Sequence, residues 1–454
     1  MVELLSPVGD WETLAAALQA GADAIYFGIK GLNMRSGSAR NFDITDLKEV
    51  AKRCHEKNVK CYLTLNTLVY NHELERVDKI LDAIKQAGVN AIIVTDFGVI
   101  QKAREKGIEC HISTQASIAN IDAAKFYAQF SPRLVLAREV TLAQTKKMKE
   151  ELKEQGINVE FEVFVHGALC VAESGRCFMS QFHNRISANR GQCLQECRKE
   201  YRITDVEDPR REFILDNQFV MSPKDLCALP ILDKLVLAGI DVFKIEGRAK
   251  GPEYVFKVTK VYKEALQAIE QGSFTKEKVA QWLEELTTVY NRGFTTNFLL
   301  GTPTNDSWAG IYGSKATTSK QRLGKILNYY AKKGIAEAVL EDVTLSVGDT
   351  IAVTGPTTGY VETTVKSLHD ENGETTTAKK TIVSFPIACK VRKNDSLYKI
   401  VKRDRSKAEE IIDSYEVHEP FKTTPRGKPL RGVSPGTIME DEENGRKNLP
   451  TRNK

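Results

Sequence analysis

EFEVFVHGALCVAESGRCFMSQFHNRISANRGQCLQECRKEY, residues 160–201, carries two signals in succession. Its opening run reads as a β-strand, because aromatic and β-branched side chains dominate it. The strand then spills into a stretch holding Cys170, Cys177, Cys193 and Cys197, with six, fifteen and three residues between neighbours. A chain of 454 residues with nine cysteines is not a small secreted disulfide framework, and an odd number of thiols suits a reducing compartment. Four thiols this close in sequence suit a soft metal or an iron–sulfur cluster, with unrelated structural cysteines as the alternative. Structural zinc sites use two close pairs, and only the last pair here is tight. A cluster tolerates irregular spacing, since its ligand positions lie on the corners of a larger object, so the spacing favours a 4Fe-4S cluster.

Similar apolar runs recur on both sides of this stretch. They are ELLSP from Glu3, AIYFG from Ala24, KCYLTL from Lys60, AIIVT from Ala91, ECHIS from Glu109, RLVLA from Arg133 and DVFKIE from Asp241. Amphipathic segments separate them, and several end in glycine (Gly21, Gly88, Gly107, Gly156, Gly239), the usual punctuation at a helix C-terminus. Continuous apolar strands alternating with helices predict a parallel sheet covered on its outer face. Eight such units predict an α/β fold, a closed (β/α)8 TIM-like barrel. An open doubly wound sheet is the rival, and it would need a Gly-rich phosphate loop where this chain has SPVGDWE. In a barrel, the cysteine stretch leaves the C-terminal end of the seventh strand, the face where such enzymes place their chemistry.

The predicted boundaries are a barrel over residues 1–272 with a Cys-rich insertion at 168–212, and a helical connector at 273–320. A small β-barrel follows at 321–400, where short strands alternate with turn signals such as Glu371-Asn372-Gly373. The Pro-, Gly- and charge-rich residues 401–454 predict a flexible basic tail. Hydrophobic content of 41% with 28% charged residues belongs to an ordinary globular chain. The first residues lack the pattern of a signal peptide, and no apolar run approaches the roughly 20 residues that span a bilayer. A cytoplasmic protein without a membrane partner is therefore expected. A net charge of +5 permits nucleic-acid binding without requiring it.

Polar residues gather where a packed barrel interior would not want them. Asn66 follows the third strand, Asp96 the fourth, Ser113 and Gln115 the fifth, Arg138 and Glu139 the sixth, and Lys244, Glu246 and Arg248 close the eighth. With Arg35 from the loop after the second strand, the four cations Arg35, Arg138, Lys244 and Arg248 would suit an anionic small molecule. Substrate binding is thus assigned to Arg35, Asn66, Asp96, Gln115 and Arg248. Glu162 and His166 fall at even spacing on the seventh strand, which predicts one shared face. His166 is a candidate general acid–base with Glu162, Arg138, Lys244 and Glu246 around it; a strand-end histidine that only hydrogen-bonds the loop is the alternative. Cys227 is a second-choice ligand, and Cys54, Cys61, Cys110 and Cys389 read as small core residues.

Glu162, Phe164, His166-Gly167-Ala168-Leu169-Cys170, Gly175, Cys177 and Met179-Ser180 together resemble the signature of the collagenase-like peptidase family. Asn189 to Cys193, Cys197-Arg198 and Lys244 to Arg248 extend the likeness. Several members of that family are iron–sulfur proteins of oxygen-independent hydroxylation, and length and C-terminal layout resemble the branch that acts on tRNA. The resemblance implies hydroxylation of a wobble uridine to 5-hydroxyuridine, tRNA as partner, prephenate as the small anionic co-substrate, and an elongation-factor-like β-barrel. Two other readings stay open: a collagenase-like peptidase, and a non-enzymatic RNA-binding or assembly factor with a structural cluster. No HExxH motif supports the first of these, and the one GxSxG match, Gly432 to Gly436, falls in the Pro-, Gly- and charge-rich tail rather than at the end of an apolar strand.

Overall fold

The computed structural model describes residues 2–199, 201–215, 221–303, 307–311 and 313–403. The tail expected at 401–454 lies, from residue 404 onward, outside the described residues. Strands β1 (Glu3–Pro7), β2 (Ala24–Phe27), β3 (Lys60–Leu65), β4 (Ala91–Val94), β5 (Cys110–Ile112), β6 (Arg133–Val135), β7 (Glu160–Gly167) and β8 (Val242–Ile245) run parallel, each beside its predecessor. That last strand pairs with β7 on one side and β1 on the other, which closes the barrel. Apolar runs buried on both faces drive this closure: Leu4, Ile25, Leu63, Ile92 and Phe243 are all sealed from solvent, each contributing about 1.5–3 kcal/mol. Helix starts follow their side chains. Asp10 accepts from the Thr13 amide at 2.9 Å, and Asp96 caps the helix Phe97–Glu105.

One irregularity shapes the site. Between β7 and β8 the pairing steps from Lys244↔Phe164 to Ile245↔His166, so one extra residue of β7 is looped out as a bulge. A one-residue shift exchanges the faces of every later side chain.

The chain between β7 and β8 holds the helix Met179–Asn184, a hairpin of Tyr201–Thr204 with Glu212–Leu215, and the short strand Asp225–Cys227 antiparallel to β7. Residues after β8 form the helices Pro252–Glu270 and Lys276–Thr287, joined where Trp282 donates to Glu264 at 3.0 Å. The connector then returns to the barrel rim, because Phe294–Thr295 pairs with Asp225–Cys227. From Thr318 to Lys402 the chain builds an antiparallel β domain whose main sheet has eight strands. Its own apolar core includes Leu323, Ile326, Val353, Phe385 and Leu397. The domain sits on the barrel helices through Lys257–Glu362 at 3.0 Å and Lys320–Glu253 at 2.7 Å. Among the described residues no helix is long and apolar enough to cross a membrane.

Candidate functional site

Cys170 lies just past β7, and the excursion folds back over the barrel mouth to bring the other three thiols to the same place. A single cavity is lined by Cys170, Cys177, Cys193 and Cys197 on one side and by Arg35, Arg138, Lys244, Glu246 and Arg248 on the other. Backbone contact seats the excursion. Gly191 has φ +83°, and a Cβ there would stand 2.1 Å from the Asn33 carbonyl, so only glycine allows the approach. Its carbonyl accepts from Gly37 N at 3.0 Å. Arg198 is buried and donates to Ser222 Oγ, Pro223 O and Leu169 O, each at 2.7 Å. Arg190 grips Glu73, with one Nη1–Oε2 contact of 2.8 Å.

The thiols surround the cavity without meeting at a point: among the described residues no three His, Cys, Asp or Glu groups could hold a single metal ion. Burial pushes the Cys177 thiol up and the Cys197 thiol up to about 11. Binding of a soft metal as thiolates would therefore release protons.

Beneath the thiols lies a cationic floor. Arg35 reaches Glu246 Oε1 through both Nε (3.1 Å) and Nη2 (2.8 Å), and Arg138 Nη2 stands 3.9 Å from Oε2. Burial alone would raise the Glu246 carboxyl, but Arg35, Arg138 and Arg248 hold it down at about 2. Lys244 is paired with Glu162 at 2.6 Å, and both are buried; burial lowers the Lys244 ammonium. Arg248 is pushed down to about 10 by burial, donates to Thr64 Oγ1 at 2.8 Å, and forms no salt bridge among the described residues. The Arg138 Nε is buried with no hydrogen-bond partner among the described residues. Four cations thus face Glu162 and Glu246, while Glu196, also on the cavity wall, is paired with Lys199 at 2.7 Å; an acid with more than one carboxylate would suit the cations left over. Asn66 and Gln115 are also on the cavity wall, joined by a 3.0 Å hydrogen bond.

Three expected residues lie elsewhere. His166 is not on the cavity. The bulge turns it outward, where its ring packs against Tyr254, Tyr262 and Phe294 at 6.0, 5.5 and 5.6 Å. Burial there holds the imidazole down at about 4, and this placement corrects the expected shared face with Glu162. Cys227 pairs with His166 across the strands and accepts from Tyr262 Oη at 3.8 Å, on the same outer layer. Asp96 spends its carboxylate on the amides of Gly98 and Val99 at 2.9 and 3.2 Å and lines a neighbouring cavity instead.

Two members of the site escaped the sequence reading. Tyr26, inward on β2, places its ring 4.4 Å from Lys244 Nζ and donates to Ile245 O at 2.8 Å. Phe164 lies under Arg138 at 4.1 Å. The signal for both was inward parity on their strands; Phe164 precedes the bulge and keeps the parity of Glu162.

Comparison with known proteins matches residues 9–309 to peptidase family U32. A collagenase of Porphyromonas gingivalis is 42% identical over 409 residues, covering 88% of this chain and 98% of that one. An uncharacterized protease of Methanocaldococcus jannaschii is 42% identical over 402 residues, covering 88% and 98%. The tRNA hydroxylation protein P1 of Bacillus subtilis is 32% identical over 409 residues, covering 87% and 94%. The tRNA-hydroxylating relative is thus more distant than the two named for proteolysis.

Proposed function

The chain belongs to peptidase family U32, and from that premise we propose that it is an iron–sulfur enzyme hydroxylating a tRNA uridine, with prephenate as anionic co-substrate. The observation that carries the reading is the ring of Cys170, Cys177, Cys193 and Cys197 around one cavity. Spread thiolates fit a 4Fe-4S cluster, whose irons each take one ligand, better than a tetrahedral zinc. When bound, the cluster would supply one-electron redox chemistry or a substrate-binding iron. The chain's own residues then have separate tasks. Arg138 and Arg248 take the carboxylates of the co-substrate, Arg35 and Glu246 hold the geometry, and Lys244 with Glu162 keeps a charged, water-excluded floor.

The identity to a collagenase favours a second reading, a peptidase. A cysteine nucleophile needs an imidazole beside it, and no histidine lines this cavity. The sequence-expected partner, His166, is sealed in the outer layer.

Anaerobic purification tests the cluster: a brown protein with about four irons per chain is expected. Nucleoside mass spectrometry of tRNA from a deletion strain tests the reaction, with loss of 5-hydroxyuridine expected. Colourless protein under strict anaerobiosis, or turnover of gelatin by the purified chain, would reverse the preference between the two readings.

A further inference from the structure

Beside the thiol cavity lies a second one of about 510 Å³, sharing Met34, Asn66, Gln115 and Gly175 with the first. Its volume falls in the range that encloses small organic ligands. Phe97 and Phe178 line it while 47% and 61% exposed. Phe97 is held in place from behind by Phe126, Tyr127 and Phe130, with ring centroids at 6.0, 5.9 and 5.9 Å. Thr67 and Thr95 line it as well, and among the described residues their buried hydroxyls have no hydrogen-bond partner; Thr67 is only 3% exposed. Buried hydroxyls without partners cost free energy unless a ligand completes them.

We propose that this second cavity holds an unstacked pyrimidine base of an RNA strand, stacked on Phe97 or Phe178 and hydrogen-bonded by Thr67 and Thr95. The inference rests on the RNA-modifying reading and names where the base sits. A hydroxyl both donates and accepts, which suits an imide edge that alternates carbonyl oxygens with N–H. Aromatic faces serve single-stranded bases drawn out of a stack. The Asp96 carboxylate on the rim disfavours a phosphate or a carboxylate here, while exposed Arg176 on the same wall suits the strand's backbone. A ring in this cavity would stand next to the thiol site, because Asn66 and Gln115 belong to both walls.

The test is photo-crosslinking of the full-length holoprotein to an RNA hairpin carrying 4-thiouridine in its loop, with the crosslinked peptide located by mass spectrometry. Crosslinks in the segments around Phe97, Phe178, Thr67 or Thr95 are expected. The F97A/F178A double variant, altered only at half-exposed rings, should lower the yield about tenfold or more, and T67V/T95V should lower it for uridine more than for an abasic loop position. A hairpin that binds but crosslinks elsewhere, or with undiminished yield in F97A/F178A, overturns this inference and leaves the RNA reading standing. A hairpin that does not bind at all overturns both. Competition by a gelatin-derived peptide for the same crosslink would hand the cavity to a peptide and also overturn it.

Discussion

The two ends of the barrel interior both carry charge, and they differ in how it is balanced. At the N-terminal end, Arg133 meets Glu3 at 2.6 Å and Glu160 at 2.7 Å, Lys60 meets Glu3 at 3.0 Å, and Tyr62 donates to Glu3 at 3.0 Å. Each charge there has its partner within the chain. At the C-terminal end, among the described residues, Arg138 Nε is buried without a hydrogen-bond partner and Arg248 donates to the Thr64 hydroxyl and stands over Tyr26 with no salt bridge. Internal balance marks a structural network, and imbalance marks a place that expects a ligand. The thiols lie at the unbalanced end.

The strongest way to break this contrast is at the thiols. Cys193→Ser should take iron from about four per chain toward zero and abolish tRNA modification, read by metal analysis and nucleoside mass spectrometry. Iron retained in full would remove the thiol ring from the account.

Next in size are the buried pairs. Arg133→Met would leave Glu3 with Lys60 and Tyr62, Glu160 facing solvent, and the buried Glu162 with Lys244 as its remaining cation. It should cost about 2–3 kcal/mol of stability with little change in activity per folded molecule, measured by denaturant unfolding beside a turnover assay. Lys244→Met should cost a similar amount, and adding Glu162→Gln should recover most of it, since the pair is then removed whole.

His166 gives a pH signature. Its folded pKa of about 4 lies below the ordinary 6.5 because burial disfavours the charged ring. The unfolded chain therefore takes up a proton first as pH falls. Stability is complete above about 6.5 and declines toward 4, by about 3 kcal/mol in all. His166→Phe should flatten that part of the stability profile, with activity near pH 7 retained. Lost activity in a stable, cluster-loaded variant would return the imidazole to the chemistry.

The smallest effect is expected at the unbalanced end itself. Arg138→Met should weaken prephenate binding by about 1.5–3 kcal/mol and change stability by under about 1 kcal/mol, read by calorimetric titration and thermal melting. A large stability loss would mean that Arg138 belongs to a structural network after all.

The barrel was legible because burial on both strand faces leaves an uninterrupted apolar record, as in AIIV at Ala91–Val94. The gathering of the thiols was legible because their spacing is local. His166 was misplaced because a bulge leaves no mark in residue type: strand parity reads Glu162 and His166 as one face, and the pairing at Ile245 separates them. Asp96 was misassigned for a different reason. An aspartate at a strand end serves a helix cap and a ligand site equally well, and only the Gly98 and Val99 amides distinguish them. Tyr26 was missed because an inward tyrosine in an apolar strand looks like core until Lys244 is set over its ring.

The closing strand comes late in the chain. Val242–Ile245 pairs with both β1 and β7, yet all four thiols precede it in order of synthesis. At ribosomal speeds of about 5–20 residues per second, the interval between Cys197 and Val242 lasts on the order of a few seconds. For that time the four sulfurs have been made and the stave that shuts the cask has not, so any group the thiols are to hold could reach them before closure.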